Sequence, residues 1–390
     1  MKKILTSLPV KLIVALLLGI VIGLVSNEAV IQVVVTLQRL AGQIIMFIVP
    51  LIIIGFIAPS ITKLGGNASK MLGIALGIAY LSSIGAAFFS TAAGYSIIPH
   101  LKIAANAAAN RELPQVIFDL AIPQIMSVMS ALAFSVLIGL AAVWTKSSKI
   151  IAALDEFQEI VIAIVVKVVI PVLPFFIGFT FVSLAYEGSI TNQLPVFIAV
   201  ILIVLVGHFI WMALLYGLAG GYSRKNPFRV LKHYAPAYIT AVGTMSSAAT
   251  LPVALNCARK SDALRPDMVN FGIPLFANIH LCGSVLTETF FVMTVSQVLY
   301  GTLPPLSTMV LFCLLLGIFA IGAPGVPGGT VMASLGLIVS VLGFDAAGTA
   351  LMLTIFALQD SFGTACNVTG DGALTLILSA HEDKQEAKNK

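Results

Sequence analysis

The sequence predicts an all-α polytopic membrane protein in which eight transmembrane helices are combined with two opposed re-entrant helical hairpins. Three observations lead there. Of the 390 residues 59% are hydrophobic and 9% are charged, against about 25% charged in soluble domains. Long apolar runs alternate with short loops that carry most of the basic residues. Two of the runs are interrupted at their centres, one by Ser-rich and one by Gly/Pro-rich backbone, which leaves pieces too short to span. The formal charge of +5 comes largely from those loops, where basic residues set orientation, so it signals no nucleic acid. Cys257, Cys282, Cys313 and Cys366 have no C-x-x-C spacing, which argues against both a disulfide framework and a zinc site.

Residues 10–26 form a first span and 30–61 a long, tilted second one, because about 20 apolar residues cross the hydrocarbon core. Met1-Lys-Lys precedes no cleavage site with a polar chain behind it, so the first run is expected to be retained. A third run covers 71–98, and a fourth, 114–144, is interrupted at Ile122-Pro-Gln124, which reads as a kink or a segmented helix. The fifth run is 151–186 and the sixth 194–220. Alternating the loops puts Lys2, Lys3, Lys11, Lys63, Lys70, Lys146, Lys149, Arg224, Lys225, Arg229 and Lys232 on one face, and only Lys102 and Arg111 on the other. The amino terminus is therefore cytoplasmic. Arg39 and Lys167, inside apolar runs, are expected to snorkel or to face an oligomer interface.

After Lys232 the alternation fails. The run 233–257 centres on Thr244-Met-Ser-Ser-Ala-Ala-Thr-Leu-Pro252 and is followed at once by Arg259, Lys260 and Arg265. A hairpin entering and leaving from the cytoplasm keeps that cluster inside. Residues 267–300 span outward with a break around 277–284. Residues 306–321 and 330–343, separated by Gly322-Ala-Pro-Gly-Val-Pro-Gly-Gly329, are each too short to cross at ~1.5 Å per residue, so they form a second hairpin from outside. The final run, 344–380, returns inward and ends in Lys384, Lys388 and Lys390, so both termini are cytoplasmic in a cell membrane. Asp345 is expected to cap that last helix.

The stretch from Pro266 to Asp383 holds Glu288, Asp345, Asp360 and Asp371 and no Lys or Arg. Intramembrane carboxylates are costly without partners and mark functional sites by default. With no basic residue in the stretch, the positive charge is expected from outside the chain. Gly322–Gly329 and Asn367-Val-Thr-Gly-Asp371 are both expected to interrupt helices, which suggests a site for a cation and a small polar solute at membrane depth. Asp360, Asn367 and Asp371 are seven and four residues apart, so one helical face can present all three.

The tip Ser246-Ser247 with Thr250-Leu-Pro252, the second tip Gly322–Gly328 and the run Asp360-Ser-Phe-Gly-Thr-Ala-Cys-Asn-Val-Thr-Gly-Asp371 resemble the dicarboxylate/amino acid:cation symporters, the glutamate transporter homologues. The resemblance covers essentially the whole chain. It implies a homotrimer working as an elevator. The scaffold is 1–70 (helices 1 and 2) and 101–192 (helices 4 and 5). The moving unit is 71–100 (helix 3) and 193–383 (helix 6, hairpin 1, helix 7, hairpin 2, helix 8), with a cytoplasmic tail at 384–390. It also implies substrate contacts from Asp360, Gly363, Thr364 and Asn367 and from the backbone of Ser246, Ser247, Val326 and Gly328, and sodium held at His280, Asn367 and Asp371.

The departures bear on substrate and cation. Acidic-substrate members carry an Arg where this chain has Gly363, or at the start of the first tip, where it has Met245. A side-chain carboxylate would meet no fixed cation, so a small neutral amino acid is expected, with Gly363 leaving room for its side chain. His280 and Cys282 replace an Asn and an Asp of sodium sites, and a thiol is a poor sodium ligand. Glu288 matches a proton-carrying position, so coupling is expected to sodium, with protons in its place or beside it. The alternatives are a proton-coupled or uncoupled carrier or exchanger, and an anion-conducting channel. An intramembrane enzyme using His280, Cys282 and Glu288 is disfavoured, because two residues is a poor spacing for one helical face.

Overall fold

The computed structural model describes residues 8–65, 70–101, 111–188, 190–323 and 325–389. Lys2, Lys3, Lys102, Pro324 and Lys390 of the sequence reading lie outside the described residues. Every regular element described is helical. The helices are α1 Leu8–Val25, α2 Glu28–Gly65, α3 Lys70–Ile97, α4 Val128–Trp144, α5 Ser148–Ile164, α6 Ile170–Tyr186 and α7 Ile190–Ser223. After them come α8 Phe228–Leu231, α9 Ala235–Thr244, α10 Ser247–Arg259, α11 Pro266–Ile279 and α12 Cys282–Tyr300. The chain ends with α13 Leu306–Gly322, α14 Gly329–Ser340 and α15 Ala346–Asn389. A π-helical turn, Val165–Val169, joins α5 to α6 around the exposed Lys167. Among the described residues, five stretches are long and apolar enough to cross a membrane: Glu28–Pro59, Lys70–His100, Ser148–Tyr186, Leu194–Ser223 and Pro266–Tyr300.

Packing divides the helices into two groups. In the first, α1 lies on α6, and α2 on α4, α5 and α6. Glycines set the α1–α6 approach: a Cβ added at Gly19 would fall 2.4 Å from the Gly178 carbonyl oxygen, and one at Gly23 2.3 Å from that of Val182. The two backbones touch, as small residues allow between membrane helices. In the second group α12 and α15 form the centre, with α3, α7, α9, α11 and α13 around them.

The short helices begin and end where local chemistry dictates. Met245 takes a left-handed conformation (φ 53°) at the end of α9, and the Ser246 hydroxyl accepts from the Ala249 amide to cap α10. Helices α9 and α10 pack against each other, as do α13 and α14. Asp345 caps α15 as expected: its carboxylate accepts from the Gly348 amide at 2.8 Å and the Tyr300 hydroxyl at 2.9 Å.

Three expectations need correcting. Residues 111–127 are not helical, and the helix of the fourth apolar region starts only at Val128. Pro114 and Pro123 cannot sit in a helix interior without losing hydrogen bonds, and α2 satisfies this segment instead. Gln32 donates to the Gln115 carbonyl (3.1 Å), Thr36 accepts from the Ile117 amide (2.9 Å), and Arg39 and Gln43 donate to Asp119. Positions 32, 36, 39 and 43 form one face of α2. Arg39 is thus an ion-pair partner of Asp119 and not a snorkelling residue. Finally, α15 runs unbroken through Asn367–Asp371.

Beyond the membrane-length portion of α15, residues 381–389 are tied down by charge. Arg265 reaches Asp383 (3.1 Å) and Glu386 (2.7 Å), and Lys225 reaches Asp383 (3.0 Å). Burial pushes the Asp383 carboxyl up, but the hydrogen bonds from Lys225 and Arg265 outweigh it and hold the group below its ordinary value. A depressed carboxylate stabilises above its unfolded value, near 4, and loses that contribution as pH falls through the lower folded value. Each exposed pair contributes on the order of 0–1 kcal/mol. Amide exchange over 381–389 is expected to accelerate beyond its intrinsic rate as the solution is acidified through the carboxylate range. In Arg265→Gln the same amides should exchange a few-fold faster at neutral pH, with a smaller acid step; unchanged protection in that variant would show that the charges do not hold the segment.

Candidate functional site

Helix α15 presents Asp360, Asn367 and Asp371 to the interior, and all three are buried. Each is received by a different element. The Gly328 amide donates to Asp360 Oδ2 at 2.7 Å; Gly328 has φ +72° and caps α14. A carboxylate thereby sits at a helix amino terminus, where the dipole and open amides favour negative charge. Thr364, one turn on, is buried beside Asp360.

Asn367 fastens α15 to the first turn of α12. Its Oδ1 accepts from the amides of Gly283 (2.7 Å) and Ser284 (3.2 Å), and its Nδ2 donates to Ser284 Oγ (2.9 Å). Those amides are available because α11 ends at Ile279 and α12 begins at Cys282, with His280 and Leu281 non-helical between them. Asp371 faces that break: its Oδ1 lies 2.9 Å from His280 Nδ1, and His280 Nε2 lies 2.9 Å from Ser82 Oγ on α3. Asp371 Oδ2 is buried with no partner among the described residues. Partners from within the chain meet two of these carboxylates, an amide dipole at Asp360 and an imidazole at Asp371.

The hairpin tips touch. Ser246 Oγ donates to the Gly325 carbonyl at 2.6 Å, and that carbonyl also accepts from the Ala248 amide at 3.4 Å. Ser247 is buried at the same contact and Val326 half-buried. A cavity of about 550 Å³ abuts the tips, lined among others by Phe56, Gln158, Ala248, Asn278, Gly325 and Val326. Glu288 is not brought to the other candidates. Wholly buried on α12, its Oε1 accepts from Ser334 of α14, and its Oε2 has no partner among the described residues.

Gly363 does not leave the expected room in this conformation. A Cβ there would lie 3.3 Å from Ser284 Cα, N and Oγ, and one at Gly283 would lie 2.4 Å from the Gly363 carbonyl oxygen and 2.5 Å from Cys366 Cβ. Both glycines serve the close approach of α12 to α15. Cys282 and Cys366 are buried and free, with Cys282 packed at the His280 ring as a small residue beside Gly370. Sequence reasoning missed Ser82, Ser284, Ser334 and Gly370. Only the doublet Ser82-Ser83 inside an apolar helix carried a signal.

A bundle of membrane-length apolar helices with buried polar groups received at helix breaks defines a multi-pass membrane transport protein. The chain belongs to the sodium:dicarboxylate symporter family, which it matches over residues 8–381; the family is one of transporters, not of enzymes. Its relatives include excitatory amino acid transporter 3 of Mus musculus, 30% identical over 200 residues (51% of this chain, 37% of the relative). Excitatory amino acid transporter 2 of the same species is 27% identical over 254 residues (63% and 43%), and neutral amino acid transporter B(0) of Homo sapiens 28% over 193 (48% and 35%). The aligned part spans well under half the length of these relatives.

Gly283→Ala should force α12 and α15 apart at the Asn367 contact and cost about 1–3 kcal/mol, seen as a lower melting temperature of the purified protein. Gly77→Ala, where an added Cβ meets nothing within 4 Å, is the control and should be tolerated. Equal melting of the two variants would show that the approach is looser than described.

Proposed function

We propose that the protein is a secondary-active symporter that imports a small neutral amino acid with sodium by an elevator motion. The observation that carries this reading is Asp360. It is a buried carboxylate placed at the contact of a reverse-turning tip with the last helix, and an amide is its closest described donor. An ammonium group is the natural further partner for such a carboxylate, and Asn367 and the tip backbone of Ser246, Ser247, Val326 and Gly328 supply the polar surround for a carboxylate. A neutral side chain is supported by the lack of any Lys or Arg from 266 to 383 and by a buried Met245.

In this reading eight spans and two opposed hairpins have both termini in the cytoplasm. Helices α1, α2, α4, α5 and α6 are the trimeric scaffold, and α3, α7 and α9–α15 the moving unit, in keeping with the two packing groups. A Cβ added at Gly322 would lie 3.4 Å from Ile57 and Phe56, near the end of α2 that the basic loops assign to the cytoplasm. The tips are thus at their inner position. A second coupling reading, a proton carried on Glu288, is favoured by its full burial and the unpartnered Oε2.

Uptake of a panel of labelled amino acids into proteoliposomes, with sodium and proton gradients imposed separately, tests this. Small neutral amino acids should accumulate under an inward sodium gradient. Asp360→Asn should lose about 2–5 kcal/mol of substrate interaction, so uptake at low substrate should fall roughly thirtyfold or more. Near-normal uptake by that variant would remove the amino-group contact, and accumulation of glutamate in preference to neutral amino acids would remove the substrate class.

A further inference from the structure

We infer that His280 closes the Asp371 seat to sodium, and so determines how many sodium ions the transporter carries with each amino acid. The inference rests on the cation-coupled reading above and narrows it. Of the three side chains expected to hold sodium there, two have no electron pair to give. Asp371 Oδ1 is an acceptor only, so the hydrogen in the 2.9 Å contact is on His280 Nδ1. The remaining ring nitrogen, Nε2, lies 2.9 Å from Ser82 Oγ and is used by that hydroxyl. Both lone pairs of Asn367 Oδ1 are taken by the amides of Gly283 and Ser284. What is left is the Asp371 carboxylate alone, its Oδ2 and the second lone pair of Oδ1, and a single carboxylate is far short of the shell a hard cation requires.

The ring is built into its place and not merely rotated there. A Cβ at position 370 would lie 2.9 Å from His280 Cε1, so Gly370 forms a socket that no other residue could line without pushing the ring out. Phe276 stands edge-on to the imidazole with ring centroids 6.3 Å apart, and the backbone at His280 is extended (φ −118°, ψ 105°), which aims the side chain across the break toward α15. An imidazole here fills the space beside Asp371 that a coordinated cation would need. An asparagine is smaller than the imidazole and would offer a carbonyl oxygen in its place.

The test is the flux ratio of ²²Na⁺ to labelled amino acid in proteoliposomes, for wild type and His280→Asn, using an amino acid the wild type accumulates. His280→Asn should carry about one more sodium ion per amino acid and show steeper sodium activation; an unchanged ratio overturns the inference. If neither protein moves any amino acid, the transport reading fails, and equilibrium ²²Na⁺ binding to the purified proteins still decides the matter. More sodium bound by the variant supports the inference, and equal binding overturns it. Should the variant not fold, wild type alone decides through the ¹⁵N imidazole resonances of its two fully buried histidines, His208 and His280. Those of His280 should stay in place when sodium chloride replaces choline chloride, and a sodium-dependent shift of them overturns the inference.

Discussion

A polar group taken out of water must find a partner, and along α15 this requirement is met three times within twelve residues. Asp360 requires an open amide, so α14 has to begin where Gly328 can point its N–H at the carboxylate. Asn367 requires two amides side by side, which only the first turn of a helix offers, so α12 has to start at Cys282. Asp371 requires a nitrogen donor, so α11 has to stop at Ile279 and release His280 across the gap. The helix breaks in the second packing group thus follow from what one unbroken helix demands. Leaving one buried acceptor unmet costs about 1–3 kcal/mol or more, and burying an ion costs several kcal/mol, both larger than the propensity gained by continuing a helix through the break.

Under the proposed reading the Asp360 contact joins the tip of the second hairpin to the site. The amide that receives the carboxylate belongs to the tip of the second hairpin, so an arriving ammonium would compete for a group already engaged in holding that tip. A dipole interaction of this kind stabilises by up to about 2 kcal/mol in a partly buried setting, which is within the range one substrate contact can offset. The tip can therefore be held in both the empty and the loaded carrier, by the amide alone in the first and through a shared carboxylate in the second.

Much of the architecture was legible because the bilayer restricts the alternatives. The all-helical architecture and the helix breaks at Ser246 and Gly325–Gly328 followed from run lengths, and the inward face of Asp360, Asn367 and Asp371 from their spacing. The failures share one cause: apolarity was read without its partners. Residues 114–127 count as apolar, yet they form an extended strap on a polar stripe of α2, and the Gln32, Thr36, Arg39, Gln43 spacing that would have revealed it was visible only as isolated polar residues. The run Asn367-Val-Thr-Gly-Asp371 looked like a helix break because its glycine and polar residues are poor helix formers, but its side chains are satisfied by neighbours. Gly370 and Gly363 are there for contact with His280 and Ser284, which no local pattern encodes.

The hydrogen bonds of the site join a restricted set of elements. Ser82 to His280 and on to Asp371, Gly283 and Ser284 to Asn367, Gly328 to Asp360, Ser334 to Glu288 and Ser246 to Gly325 link α3 and α10–α15, all within the proposed moving unit. Gln32, Thr36, Gln38, Arg39 and Gln43 of α2 pair instead with residues 115–119 and with Thr180 and Ser183 of α6. Sliding one group past the other would therefore leave these bonds intact and exchange mainly dispersion contacts, which are non-directional and can re-form at a new register. A unit that keeps its buried hydrogen bonds also crosses the bilayer at lower cost than one that must trade partners on the way. That division of the polar network is the physical condition an elevator requires, and it is why the proposed mechanism fits this chain better than a pore opened through the middle of the site.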